Sequence, residues 1–463
     1  ILNHVDIDAN DPAGLTRDQW RENPKQQVPF LKQFNVRKEI QQTQTGLTWS
    51  KPLNDQHELY SMAYFGQRAV TQYQSIPSGA QANPRHAGGV IDFDRNFYGA
   101  DLRWTGKDLL PNTRFSAGLA VDFMDEDRKG FENFNADGAY GVKGQLRRNE
   151  NNTLWNLDPY LQATWQFLPT WRLDTGLRYS NVNYESEDQY INGTNGDDSG
   201  KTDYRKVLPS VALSWEIAPE WHTYASYSKG FETPTFTEMA YPSTGAAGIN
   251  FNLKPATSDN YELGLKTDNR LGQFTAAIFQ SKTQDDIVSS ESNNGRNTFR
   301  NADQTLREGL ELSWNKKLWR DLTAQASYSY LDATFDADIP AIGDKPLIAS
   351  GNAIPGVAKN QAYAALAWQP ETGFNAGLDI RYMDKIYVDD TNSDAAPSYS
   401  VTSANVGYVW KNKDWKVNSY ARVDNLFDQD YVGSVIVNDG NSRFFESADG
   451  INWSAGLSIT KAF

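Results

Sequence analysis

Cysteine is absent from this 463-residue chain. That excludes a disulfide framework, a thiolate nucleophile and any cysteine-based metal site, and it leaves the redox compartment unreadable from thiols. No run of about 18 apolar residues occurs, so the chain has no helix able to cross a bilayer. Histidine is scarce: His4, His57, His86 and His222 are scattered, and none has a partner at the i, i+4 spacing of a metal pair. Positive charge is the minority sign, with 44 Lys and Arg against 58 Asp and Glu for a net −14, which argues against a nucleic-acid partner. The sequence holds no G-x-S-x-G, no P-loop and no G-x-G-x-x-G following a strand, so it reads as a non-enzyme without a cofactor. Asp6, Asp8, Asn10 and Asp11 alternate like the start of a calcium loop, but Pro12 and the lack of a twelfth-position Glu break that pattern.

What the chain does have is aromatics, 13% of residues with 23 Tyr and 14 Trp, and alternation. Trp453, Ala455, Leu457, Ile459 and Phe463 occupy every second position, or a multiple of two, with Asn452, Ser454, Gly456, Ser458 and Thr460 between them. A strand has side-chain period two, so each set occupies one face. The same pattern recurs in Leu161, Ala163, Trp165 and Phe167, in Trp171, Leu173, Leu177 and Tyr179, in Leu322, Ala324, Ala326, Tyr328 and Tyr330, and in Phe374, Ala376, Leu378, Ile380 and Tyr382. Apolar residues on one face, polar or charged ones on the other, and rings near the ends are the pattern of a transmembrane barrel with a wet lumen. The predicted fold is all-β: an antiparallel up-and-down transmembrane barrel with about 18 strands in this chain. Asp101, Arg103, Asp174, Arg178, Asp379 and Arg381 are expected to line its lumen and pair there.

Connections alternate in length. Short ones, such as Leu168-Pro169-Thr170 and Ala218-Pro219-Glu220, are followed by long ones at about 8–36, 74–94, 129–149, 231–257, 289–302 and 336–359. This describes one plain rim and one elaborate rim, which in outer-membrane barrels are the periplasmic and extracellular sides. No linker divides residues 1–463, so they read as a single barrel domain. Ile1 begins inside a strand-like stretch, and counting strands back from the end leaves an even number expected before it.

Val423-Asp424-Asn425-Leu426-Phe427-Asp428-Gln429-Asp430-Tyr431, followed by a loop, a last strand and a terminal Phe, resembles the C-terminal end of TonB-dependent receptors. Further blocks resemble one type within them, the YncD or PqqU type that takes up pyrroloquinoline quinone (PQQ). They include Val5 to Trp20, Gln72 to Pro77, Asn83 to Val90, Arg128-Lys129-Gly130, Lys143 to Arg148, Asn195 to Gly200, Gly230 to Thr235 and Tyr431 to Asn438. The resemblance implies a 22-stranded barrel in the Gram-negative outer membrane, closed by an N-terminal plug, with the plug, the TonB box and about four strands preceding residue 1. It further implies a small anionic ligand, coupling to TonB–ExbB–ExbD through that preceding region, contact with outer-membrane lipid and lipopolysaccharide, and a monomer. The loop near 336–358 is longer than this type has.

PQQ, as the resemblance implies, is a planar quinone with three carboxylates. Recognising it calls for guanidinium forks and aromatic faces. The long loops hold such groups: Arg85 and His86; Arg128 and Lys129; Tyr140, Lys143, Arg147 and Arg148; Lys254; Arg296 and Arg300; Arg443 beside Phe444 and Phe445. Of these, Arg85, His86, Arg128, Lys129, Tyr140, Lys143, Arg147, Arg148 and Arg443 are the expected ligand residues. A ferric-siderophore receptor and a passive porin-type channel are the competing readings.

Overall fold

The computed structural model describes residues 1–242, 248–293, 296–341 and 346–461. Phe463 and the centre of the loop near 336–358 lie outside the described residues. An 18-stranded antiparallel sheet runs in sequence order from Leu2–Asn10 to Asn452–Lys461, each strand paired with the next. All 18 strands lie where the alternation predicts them. Among the described residues the first strand pairs only with Arg37–Pro52 and the last only with Trp415–Asp424, so both have a free edge.

The two faces differ as period two requires. On the Leu146–Leu168 strand, Trp155, Leu161 and Trp165 are 41%, 59% and 48% exposed on the outer face. The two tryptophans are ten positions apart, about the length of a strand crossing a bilayer at a tilt. Near the short-turn rim the rings touch: Trp165 lies against Phe167, Phe167 against Trp171, and Trp171 stacks on Trp215 with centroids 5.0 Å apart. Such a girdle fits an interface where one part of the ring is apolar and another is wet.

The inner face is polar and paired. Tyr160 Oη donates to Asp101 (3.0 Å), Arg178 pairs with Asp158 (2.5 Å) and Arg422 with Asp379 (2.8 Å). Asp101, Asp174, Arg178 and Asp379 find partners on that face, but none of these partners is another of the six expected residues. Arg178 and Asp158 lie on adjacent strands, whereas Tyr160 with Asp101 and Arg422 with Asp379 reach across an intervening strand. Gly118 faces the Tyr160 ring so closely that a Cβ there would sit 2.3 Å from it, so only glycine leaves room for the ring to lie flat on the sheet.

Several strands run further toward the long-loop rim than expected. The stretch 289–302, read as a loop, is largely a paired hairpin: Gly272–Asn293 and Arg296–Trp319 stay paired, with a register shift between Ser289 and Glu291, up to Asn293 opposite Arg296. Likewise Thr113–Phe131 and Leu146–Leu168 take up both ends of the stretch 129–149. Beyond the lipid no face has to be apolar, so alternation fades while backbone pairing continues. The stretch 8–36 contains two short helices, Arg17–Glu22 and Pro29–Phe34. Thr16 caps the first through a reciprocal bond pair with Gln19, a capping box.

The long loops converge. Leu15 and Phe445 exchange backbone hydrogen bonds (2.8 and 3.1 Å), Arg17 pairs with Asp394, and Asn438 Nδ2 donates to Ser289 O (2.9 Å). These contacts join segments up to 430 positions apart in sequence and form a cap. The cap holds most of the large buried apolar side chains. Phe335 centres a cluster with Ile339, Ile348 and Ile354, and Met239 and Phe236 pack with Tyr184, Tyr204 and Leu253.

Candidate functional site

Two chain elements build the site. The Thr113–Phe131 and Leu146–Leu168 strands pair Arg128 opposite Glu150 and Gly130 opposite Arg148, which brings two guanidiniums to one carboxylate. Arg148 Nε donates to Glu150 Oε2 (2.6 Å), and Arg128 Nε lies 3.9 Å from Glu150 Oε1. All three side chains are buried. Burial pushes the Glu150 carboxyl up, but Arg148 and Arg128 outweigh it and hold the group below the usual carboxylate range. The second element is the one-turn helix Phe236–Met239, started by a Thr235–Glu238 capping box and anchored by buried Phe236 and Met239. It delivers Ala240, whose carbonyl accepts from Arg148 Nη1 (2.8 Å), and Tyr241.

Between these elements and the 74–89 loop lies a cavity of about 300 Å³, lined by Arg85, His86, Arg147, Arg148, Tyr241 and Arg296 among others. Arg296 reaches in from the Arg296–Trp319 strand. Its Nη2 donates to Gly88 O (2.6 Å), and its Nη1 stands 3.0 Å from His86 Nε2. The Gly88 N–H faces His86 Nδ1 at 3.1 Å. Burial, together with the charges of Arg296 and Arg147, pushes His86 down to about 3, so the ring is uncharged at neutral pH. Tyr241 sits among three guanidiniums. Arg128 Nη2 is 3.3 Å from its hydroxyl, and the Cζ atoms of Arg296, Arg148 and Arg128 lie 4.2, 5.5 and 5.7 Å from its ring centre. Burial pushes the Tyr241 phenol up, but Arg296, Arg128 and Arg148 prevail and bring it down to about 8. Among the described residues, Arg148 Nη2 is buried with no acceptor. The lining also carries Glu150, Asp188, Asp198 and Glu291. The chamber can therefore hold an oxyanion, with acidic groups nearby that shape which one.

Of the expected ligand residues, Arg85, His86, Arg147 and Arg148 meet at this cavity, and Arg128 backs it through Tyr241. Arg147 is largely committed elsewhere, donating to Gln81 O (2.8 Å), Asn83 O (2.5 Å) and Glu132 (2.8 Å), so it staples the 74–89 loop to the hairpin. Lys129 does not belong: next to Arg128 on the same strand, it points to the opposite, outer face and is exposed. Tyr140 is a packing residue, its ring tilted against Phe34 with centroids 4.5 Å apart and its hydroxyl donating to Ser78. Lys143 pairs with Asp92 (2.7 Å). Arg443 lies over the Phe30 ring at 4.3 Å and borders a separate cavity of about 230 Å³ with Asp11, Asp439 and Glu446. Lys254 and Arg300 pair with Asp285 and Asp390. Sequence reasoning left Tyr241 out, and it noted Arg296 only as a loop cation. Nothing in a lone Tyr after Met239-Ala240 marks it, because the arginines around it come from three different strands.

A family model described as "TonB dependent receptor-like, beta-barrel" matches residues 2–426. The chain is 25% identical over 299 residues to a probable TonB-dependent siderophore receptor, PiuA, of Acinetobacter baumannii, covering 62% of this chain and 38% of that protein. It is 25% identical over 304 residues to the vitamin B12 transporter BtuB of Photobacterium profundum, covering 64% of this chain and 46% of that one. The chain thus spans less than half the length of these curated relatives. Among solved structures, the ferric citrate transporter FecA in its unliganded form superposes with a TM-score of 0.76 at 17% identity, over 100% of this chain and 67% of that chain. The PiuA structure gives 0.73 at 18% identity, over 93% and 65%. These likenesses agree on the barrel fold, and barrels of this kind reside in the outer membrane of Gram-negative bacteria.

Proposed function

The chain belongs to the TonB-dependent receptor β-barrel family, and from that premise we propose that it is the barrel of an uptake receptor that captures a small organic anion beneath its loop cap. The observation that carries this reading is the cavity between the loops. Arg148 and Arg296 converge there with an uncharged His86, and a buried guanidinium N–H is left over for a ligand oxygen. Guanidinium N–H groups match carboxylate geometry, and a charge-assisted hydrogen bond contributes about 1.5–3 kcal/mol. PQQ, with three carboxylates on a planar frame, fits such a chamber and is the ligand we favour. A ferric chelate with free carboxylates is the second reading, supported by relatives described as siderophore receptors. A passive pore is disfavoured by the loops meeting over the mouth. Transport would engage TonB–ExbB–ExbD through a plug-bearing region outside residues 1–463, with one receptor per barrel and lipid and lipopolysaccharide around the outer wall.

The test is calorimetric titration of the full-length receptor with PQQ and, separately, ferric citrate. Arg148→Ala should weaken binding of the ligand that binds by roughly tenfold or more, with the heat-modifiable folded band retained on a gel. Unchanged affinity in that variant, at both low and physiological salt, rules out the cavity as the capture site; the salt series separates contact from long-range steering.

A further inference from the structure

Tyr241 already does, inside the cavity, what a ligand would have to do. Its ring lies within 4.2–5.7 Å of three guanidinium carbons, and its hydroxyl takes the Arg128 N–H. Glu150 is the carboxylate that Arg148 and Arg128 share, and it also accepts from Asn152 Nδ2 (3.1 Å). Burial makes the like charges gathered around Tyr241 unfavourable, and a polarised phenol among them relieves part of that cost. A ring face also attracts guanidinium.

Resting on the reading of this cavity as an anion trap, we propose that Tyr241 is a built-in stand-in for the ligand: its phenol holds the place among Arg128, Arg148 and Arg296 that an aromatic oxyanion takes, and such a ligand binds by displacing it. The class this selects is a ring bearing an acidic oxygen, either an arene carboxylate or an ionised phenol. An aliphatic polycarboxylate can meet the guanidiniums but cannot replace the ring face. The leftover N–H on buried Arg148 is where the second oxygen of a carboxylate goes, since a phenol brings one oxygen and a carboxylate two. The stand-in keeps the arginines from collapsing onto Asp188 or Asp198 when no ligand is present, and it lowers the apparent affinity by the fraction of time it occupies the slot.

The experiment uses the full-length receptor, with PQQ and benzoate as aromatic probes and citrate as the aliphatic one. If Tyr241 fills the slot nine-tenths of the time, Tyr241→Ala should tighten PQQ binding about tenfold and leave citrate within about twofold. Tyr241→Phe, which keeps the ring and loses the hydroxyl, should fall between wild type and Tyr241→Ala. A second measurement does not depend on any natural ligand. The 295 nm absorbance titration of wild type minus Tyr241→Phe should give a midpoint near 8 without probe and move toward the ordinary tyrosine value of about 10 in saturating benzoate. Weaker PQQ binding in Tyr241→Ala makes the tyrosine a ligand contact and overturns the proposal. So does an equal gain for citrate, or a midpoint that benzoate does not move. Failure of the cavity reading itself looks different: there Arg148→Ala leaves PQQ affinity unchanged, whereas a failed stand-in leaves the loss in Arg148→Ala in place.

Discussion

The wall of this molecule and its cap obey opposite rules of burial. On the wall, large apolar residues are exposed: Leu161 at 59% and Trp453 at 79%, because lipid rather than protein covers them. In the cap, Phe335 and Met239 are fully buried at 0%, as in a soluble core, and charged residues are stapled together beneath the surface. The wall is held by hydrogen bonds between sequence neighbours, strand by strand. The cap is held by contacts between segments far apart, such as Leu15 with Phe445 or Arg296 with His86. One chain thus contains a structure made by its solvent, the bilayer, and another made by its own side chains. The ligand chemistry belongs to the second.

If the cap is a core of its own, emptying it should loosen the loops and spare the barrel. Phe335→Ala removes the centre of the cluster with Ile339, Ile348 and Ile354 and should cost about 3–5 kcal/mol locally. Limited proteolysis should then cut the 331–358 region faster, while the heat-modifiable band stays. Loss of the folded band instead would mean that wall and cap fold as one unit.

The wall's rule is tested on one strand. Ala326 lies on the outer face, opposite Ala364, which in turn faces Ile380, whereas Ser327 faces Tyr363 and Arg381 on the lumen side. Ala326→Arg should cost about 2–4 kcal/mol in vesicle refolding and Ser327→Arg much less. The reverse order would invert the facing of that strand.

A smaller effect separates the cap by pH. His86 titrates near 3 when folded and near 6.5 when unfolded, so it favours the folded cap fully above pH 6.5 and progressively less as pH falls toward 3. His86→Gln should remove that part of the acid sensitivity, read as protease susceptibility of the 74–89 loop between pH 6.5 and 4. Identical acid profiles for wild type and variant would show that the ring is not held in the Gly88–Arg296 clamp. The smallest effect is expected at Lys129: Lys129→Ala should leave PQQ affinity within about twofold, as surface substitutions usually do. A tenfold loss there would mean that the outer face takes part in capture.

The sequence made the wall legible because lipid demands an apolar side chain at every second position, and that demand writes itself into each strand independently. Strand ends past the membrane band were missed for the same reason: at 289–293 and 296–302 pairing continues where the demand stops. The cap's candidate arginines were visible as residue types, and Arg85, His86, Arg147 and Arg148 do gather at one cavity. Lys129 was misread because a linear cluster ignores that adjacent strand residues point to opposite faces. The contacts of Tyr140 and Arg147 were not legible because their partners, Phe34 and Gln81, come from other loops.

By itself, then, the sequence determined an antiparallel wall of 18 strands, its lipid and lumen faces, its plain and elaborate rims, and the presence of cations in the loops. All of these follow from local periodicity and composition. Only the tertiary structure decided which cations share a chamber, that Arg147 is a staple, that His86 is uncharged, and that Tyr241 stands among Arg128, Arg148 and Arg296. Those facts depend on distances between residues up to about 210 positions apart in sequence, and no short-range pattern encodes such distances.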